Sequence, residues 1–367
     1  MRFKKVTALA LSAAMTLGLL AGCGGTPKES QAPAESQSAE SQAAAATGES
    51  SLKGKRVRVV IGSTSTGGDS YMMADMVTRY LGEEMGFNGK VDPVGNAAAL
   101  DAISKAKGDG TTIMMFHDMT FLSVLFGAVG EEYSLENLTI GPRIGQNPGG
   151  CFAANAAAPY SNLKEAAEWL SQNPDQTIRV NIEAGAASHL SFAVFYMWAQ
   201  ETYGDDVANR IKAIVGGTTD EKKQRLWDGN ADIIYGDYSS FVEFTKEGVD
   251  AQLAMKMMDS SGTVAGADNL TSMADDGITF NGAPFDFNKD FAMYFPKDMD
   301  ESVLNEIAAA MVRVCQNPDF QKEMASLKYS TLTPEETDLA ASQQFILDKR
   351  ETSKAIVEAA PNLDSLT

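Results

Sequence analysis

From residue 56 onward, short apolar runs alternate with amphipathic stretches. Arg56 to Ile61 is a β-branched run of strand length. Met73, Met76, Val77, Tyr80 and Leu81 then recur at helical spacing, and Gly86 closes that helix. Val91 to Val94 is predicted as a strand, Ala97 to Lys107 as a helix and Thr111 to Phe116 as a buried strand. The order β-α-β-α-β is that of a doubly wound parallel sheet.

The middle of the chain repeats this order. Asn162 is placed to cap a helix, with Glu165 three residues on and Ala166, Trp169 and Leu170 on its apolar face. Thr177 to Ile182 is predicted as a strand, followed by loop 183–187. A helix starts at Ser188, with Leu190, Ala193, Val194 and Met197 on one face. Ile211 to Val215, a helix ending near Gly229, and Ala231 to Tyr235 complete a second α/β unit. Gln252 to Met258 is expected to cross back. Helices over Glu301 to Cys315, Asp319 to Leu327 and Pro334 to Ala359 are expected to pack on the first unit. The fold class is therefore α/β with two lobes, each a doubly wound sheet flanked by helices. Residues 53–150 and 268–367 form a discontinuous lobe 1, and 151–267 form lobe 2. About 315 residues in the folded part suit two cores better than one.

The first residues change the setting. Arg2, Lys4 and Lys5 precede an apolar run from Val6 to Leu20. That run is shorter than the roughly 20 residues of a membrane span and reads as a secretory signal over 1–22. Its end, Leu20-Ala21-Gly22-Cys23, resembles the lipobox of bacterial lipoproteins, in which the cysteine becomes the lipidated first residue. Two acyl chains there would give stable membrane attachment. Residues 23–52 are mainly Ser, Ala, Glu, Gln, Pro and Gly, and read as a disordered tether. The chain carries a net charge of −19, and −22 once the three basic residues of the signal are removed. This disfavours nucleic acid and anionic membrane as partners, so contact with the membrane is expected through the lipid only. Cys315 reads as a core residue on an apolar helix face, and Cys151 as part of an interlobe crossing. A bond between them is open on the sequence.

Open α/β sheets bind ligands beyond the carboxyl ends of their strands. Two loops there have suitable chemistry. Ser63, Thr64, Ser65, Thr66, Gly67 and Gly68 offer hydroxyls and amides ahead of a helix N-terminus, with Tyr71 one turn in. Glu183, Gly185, Ala186, Ala187 and Ser188 form the second loop, again before a helix. Two helix ends facing one cleft would hold a carboxylate without any Arg or Lys. His117 either reaches that carboxylate or caps the next helix. There is no Gly-Lys-Ser/Thr phosphate loop, no Gly-x-Gly-x-x-Gly fingerprint, no His-Glu-x-x-His and no Gly-x-Ser-x-Gly elbow. Asp69, Asp118, Glu183 and Asp237 read as caps and surface charge rather than acid–base pairs. No metal, cofactor or catalysis is expected.

Several segments, in order, resemble the substrate-binding proteins of tripartite tricarboxylate transporters, the Bug/TctC-like receptors. They are the strand, Gly-Gly loop and helix at 57–81; Lys107 to Ile113; Leu163 to Asn173; Gly185-Ala-Ala-Ser-His-Leu190; and Leu226 to Asp232. The resemblance runs over about residues 54–360. It implies a Venus-flytrap fold like that of periplasmic binding proteins, closing on a small organic carboxylate and delivering it to integral membrane subunits. It also implies that His189 orients the second loop. A membrane sensor or an exported hydrolase on the same fold are the alternatives. Tyr71 and Asp75 stand where the family commonly has Asp and Arg; Glu183, Ala186 and Asp237 also depart from it. Glu183 or Asp237 is accordingly expected to pair with a positive group on the ligand, such as an amine.

Overall fold

Residues 49–264, 267 and 270–367 are described by a computed structural model. The export signal, Cys23 and the tether up to residue 48 lie outside these residues. The fold begins before residue 53. Leu52 is fully buried, and the Ser51 amide donates to both carboxylate oxygens of Glu306 at 3.1 Å.

The first part of the chain supplies β1 (Arg56–Ile61), α1 (Asp69–Met85), β2 (Asn88–Pro93), α2 (Asn96–Ser104), β3 (Thr112–Phe116), α3 (Met119–Leu125), β4 (Leu138–Asn147) and β5 (Gly150–Asn155). The middle adds α4 (Leu163–Gln172), β6 (Ile178–Ile182), α5 (Ala187–Tyr203), α6 (Asp205–Ala208), β7 (Ile211–Val215), α7 (Thr219–Trp227), β8 (Ile233–Asp237), α8 (Tyr238–Phe241), β9 (Met255–Ser260) and β10 (Thr271–Ser272). A small hairpin of β11 (Thr279–Phe280) and β12 (Ala283–Pro284) precedes β13 (Lys289–Pro296). Helices α9 (Glu301–Cys315), α10 (Pro318–Ser326), α11 (Pro334–Thr337) and α12 (Leu339–Ala359) end the chain.

The strands form two main sheets. One has the order β2-β1-β3-β13-β4, the other β10-β9-β5-β8-β6-β7. Parallel pairing joins β2, β1 and β3, and separately β7, β6 and β8. These are the two doubly wound units expected from the β-α-β order. Local chemistry explains their helices. Asn162 accepts the Glu165 amide at 2.7 Å, while the Glu165 carboxylate takes the Ser161 amide at 2.7 Å. Gly86 ends α1 in the left-handed region at φ 73°. Helix α5 is buried on nearly every side, from Ala187 to Ala199, because it lies beneath both α4 and α12.

The antiparallel strands differ from the sequence-based reading. Met255–Ser260 does not cross back: it pairs antiparallel with β5 inside the second sheet. The return is made by β13, which runs antiparallel to both β3 and β4. The C-terminal helices also reach further than expected. α9 packs on α1, but α12 touches β4, α3 and α5, and the Leu366 carbonyl accepts the Ala213 amide of β7 at 2.8 Å. The tail thus spans both sheets. Cys151 and Cys315 are both buried and unbonded. Cys151 Sγ faces Met257 Sδ at 3.7 Å, and Cys315 meets the Thr337 hydroxyl at 3.5 Å.

A buried ionic network ties β13 to its neighbours. Asp290 is paired with Arg143 of β4 and, at 2.6 Å, with Lys349 of α12. Lys349 also reaches Asp118 at 2.8 Å and the Asn288 carbonyl at 2.5 Å. The Asp290 amide donates to Asp118 at 3.0 Å. Burial raises the Asp290 pKa, yet Lys349 and Arg143 more than offset this and hold it below the usual carboxylate range. Arg143 further stacks on Phe345, 3.6 Å from the ring centre.

Candidate functional site

The carboxyl ends of the parallel strands of both sheets meet at one junction. From the first sheet, β1 runs into loop 62–68. There Ser63 Oγ accepts the Ser65 amide at 3.1 Å and Ser65 Oγ the Gly67 amide at 3.2 Å. Thr64, Ser65, Thr66 and Gly67 are exposed. Gly68 is extended and leads into α1, whose first residue is Asp69. From the second sheet, β8 ends at Asp237 and β6 runs into loop 183–187.

Four polar side chains from both sheets converge there. Lys289, the first residue of β13, is ion-paired with Asp69 and, at 2.6 Å, with Asp237. Asn147, the last residue of β4, donates to Asp69 Oδ2 at 3.1 Å and to Asp237 Oδ1 at 3.4 Å. Its own Oδ1 accepts the Gly149 amide at 2.9 Å, which fixes its orientation in the crossing. The side chains of Lys289, Asp69 and Asp237 remain 12%, 14% and 22% exposed, so the group is largely buried but reaches solvent along one edge. Burial raises the Asp69 pKa, but Lys289, His117 and Asn147 outweigh it and hold the carboxyl well below its ordinary range. Asp237 moves up, through burial and the charge of Asp69 against the pull of Lys289. Burial lowers the Lys289 pKa, but Asp237 and Asp69 reverse this and keep the ammonium charged.

A second cation lies close by. Lys222 of α7 is buried, and its ammonium donates to the Tyr235 carbonyl at 3.3 Å. Burial lowers its pKa, while Glu183 and Asp237 pull the other way. The expectation of a carboxylate site without any Arg or Lys is therefore corrected: two lysines stand at this junction.

The remaining expected residues are distributed as follows. His117 is buried. Its Nδ1 accepts the Met119 amide at 3.2 Å at the start of α3, so it makes the capping contact. Burial, then the charges of Lys289 and Lys349, lower its pKa to about 3, against Asp69, so the ring is neutral. Tyr71 packs half-buried on the apolar cluster beneath α1. In the second loop, Glu183 is exposed, and its amide donates to Ser188 Oγ at 2.9 Å. Gly185 has φ +72°, a conformation suited to glycine. A Cβ there would lie 3.4 Å from Ala128 Cβ, just beyond α3. Ala186 and Ala187, at the start of α5, are buried. His189 Nδ1 accepts the Gly185 amide at 3.3 Å, and its ring stacks on Phe126 with centroids 3.9 Å apart. Both contacts hold His189 between the Gly185 turn and α3. Among the described residues, no group of three or more His, Cys, Asp or Glu could hold a metal ion, and no helix is long and apolar enough to cross a membrane.

No protein-family model and no curated protein sequence matches the chain. Solved structures do. MatC from Rhodopseudomonas palustris with bound malate is 16% identical, with a TM-score of 0.66, covering 82% of this chain and 99% of that one. Rpa4515 of R. palustris with adipate is 14% identical, with a TM-score of 0.61, covering 83% and 98%. A TctC solute-binding protein from Polaromonas is 12% identical, with a TM-score of 0.60, covering 83% and 98%. The chain thus has the two-lobed α/β fold of solute-binding proteins.

Proposed function

We propose that this chain is an extracytoplasmic solute-binding protein, without catalytic turnover, that captures a small organic carboxylate. In this reading Cys23 carries the lipid anchor, and the loaded protein delivers its ligand to the integral membrane subunits of a tripartite tricarboxylate-type transporter. The observation that carries it is the convergence of both sheets' strand ends on one partly open junction. Loop 62–68 and the start of α1 lie on one side, the ends of β6 and β8 on the other, and the Asn147–Lys289 crossing between them. The exposed hydroxyls of Thr64, Ser65 and Thr66 supply donors for an anion, while the Ser65 and Gly67 amides are spent within the loop. Hinge closure of the two sheets over the ligand would use the β4–β5 and β13 crossings. Malate and adipate in the similarly folded MatC and Rpa4515 support a carboxylate as the ligand class.

A thermal-shift screen of the full chain with mono-, di- and tricarboxylates, aromatic acids and amino acids tests this. A ligand at about 100 times its dissociation constant adds roughly 2.7 kcal/mol, which moves the melting point by a few degrees. At least one acid is expected to produce that shift. Folded protein that responds to none of them would rule the reading out.

A further inference from the structure

We infer that the Asp69–Asn147–Asp237–Lys289 group is built for a zwitterion, and that the ligand is an α-amino acid held by its carboxylate on Lys289 and by its ammonium on Asp237. This rests on the solute-binding reading and narrows its ligand class.

The group has unused hydrogen-bonding capacity. A lysine ammonium has three donors. Those of Lys289 serve Asp69 and Asp237, leaving one. Asp69 is used on both oxygens: Oδ1 takes the Ser70 amide and hydroxyl, and Oδ2 takes Lys289 and Asn147. Asp237 is different. Lys289 and Asn147 both go to its Oδ1, and no hydrogen bond reaches Oδ2 from the described residues. One open donor and one open carboxylate oxygen therefore lie side by side on one ion pair, in a group that remains partly exposed. A ligand with an adjacent anion and cation fills both.

Charge points the same way. Two carboxylates and one ammonium leave the group with one net negative charge. A simple acid would bring a second and a dicarboxylate a third, into a site where little water screens them. A zwitterion adds none. Lys222, whose charge bears on Asp237, is opposed by Glu183 as well as by Asp237 itself.

The experiment is isothermal titration of the full chain with the proteinogenic α-amino acids and with the desamino acids that carry the same side chains. At least one amino acid is expected to bind, with its desamino acid at least tenfold weaker. Asp237→Asn and Lys289→Met are each expected to weaken that amino acid at least tenfold. A desamino acid that binds as tightly as its amino acid would overturn the inference while leaving the solute-binding reading intact. Wild-type protein that is folded and binds neither class would remove the solute-binding reading itself. The comparison of ligands on the wild type decides the matter even if a variant does not fold.

Discussion

Asp290→Ala is expected to destabilise the protein by about 3–5 kcal/mol, because it strands buried cations. The Arg143 and Asp290 side chains are only 4% and 2% exposed, and Lys349 leans on the same carboxylate. Removing Asp290 leaves Arg143 without its anion, and leaves Lys349 with Asp118 as its one remaining carboxylate partner. The loss should appear as a fall in melting temperature on the order of 5–10 °C. Glu136→Ala provides the contrast. It breaks the pair of Arg350 with a carboxylate that is 61% exposed, and such a pair contributes roughly 0–1 kcal/mol. Equal effects from the two variants would show that the network behind β13 does not hold the crossing strands.

The second large effect concerns Asp259 of β9, which is fully buried. One oxygen accepts the Leu163 amide at 2.6 Å. The charge of the neighbouring Asp276 bears on the same carboxyl, and its other oxygen, Oδ1, meets no donor, so the buried group is favoured in its protonated form. Burial, then Asp276, raise the Asp259 pKa to about 9. The unfolded chain releases this proton near its ordinary value of 3.8, while the folded chain keeps it. The unfolded state therefore binds fewer protons between these values, and the stability due to this group falls as pH rises from about 4 to about 9. Asp259→Asn retains an acceptor for Leu163, gains a donor for Asp276 and does not titrate. It is expected to be more stable than the wild type by about 1–3 kcal/mol at pH 8, with the gap widening from pH 5 to pH 9 in thermal melts. A gap that does not change with pH would refute a proton retained on Asp259.

The two histidines set the opposite limb. Burial lowers His189 to about 4 and, with neighbouring lysines, His117 to about 3. Both are depressed below the unfolded value, so their contribution is complete above about 6.5 and is lost as pH falls through 4 and then 3. Acid melts should show a decline beginning near pH 6 that His189→Gln reduces.

Elements set by local pattern were legible in the sequence. The β1–α1 unit, the Asn162–Glu165 cap, the β6–α5 turn and the helix ending at Cys315 all follow from spacing within a dozen residues. The antiparallel strands were not. β5 and the centre of β13 are short apolar runs and β4 is ten residues of mixed polarity; the partners of all three lie far along the chain, and such segments do not announce their pairing. The same distance hid half of the candidate site. Asp69 and Lys289 are 220 residues apart, and Asn147 and Asp237 are 90 apart. Only tertiary pairing brings them together. A signal was nonetheless present: Lys289-Asp290 stands at the head of the apolar run Phe291 to Phe295. Charges at a strand end facing a core need partners, and these two have them.

Neighbouring residues on a strand point to opposite faces. Lys289 accordingly meets the junction between the lobes, while its neighbour Asp290 meets Arg143 and Lys349 behind the sheet. The same division separates Asn147 from Gln146, which reaches Asp290 at 3.2 Å. A single inserted or deleted residue between Asn288 and Ala292 would exchange the two faces. It would present an aspartate to the junction, which already holds two, and a lysine to Arg143 and Lys349. The hairpin just upstream, with its exposed tip at Asn281 and Gly282, can absorb a change of length. Length variation in relatives of this chain should therefore collect before Asn288 and stop there.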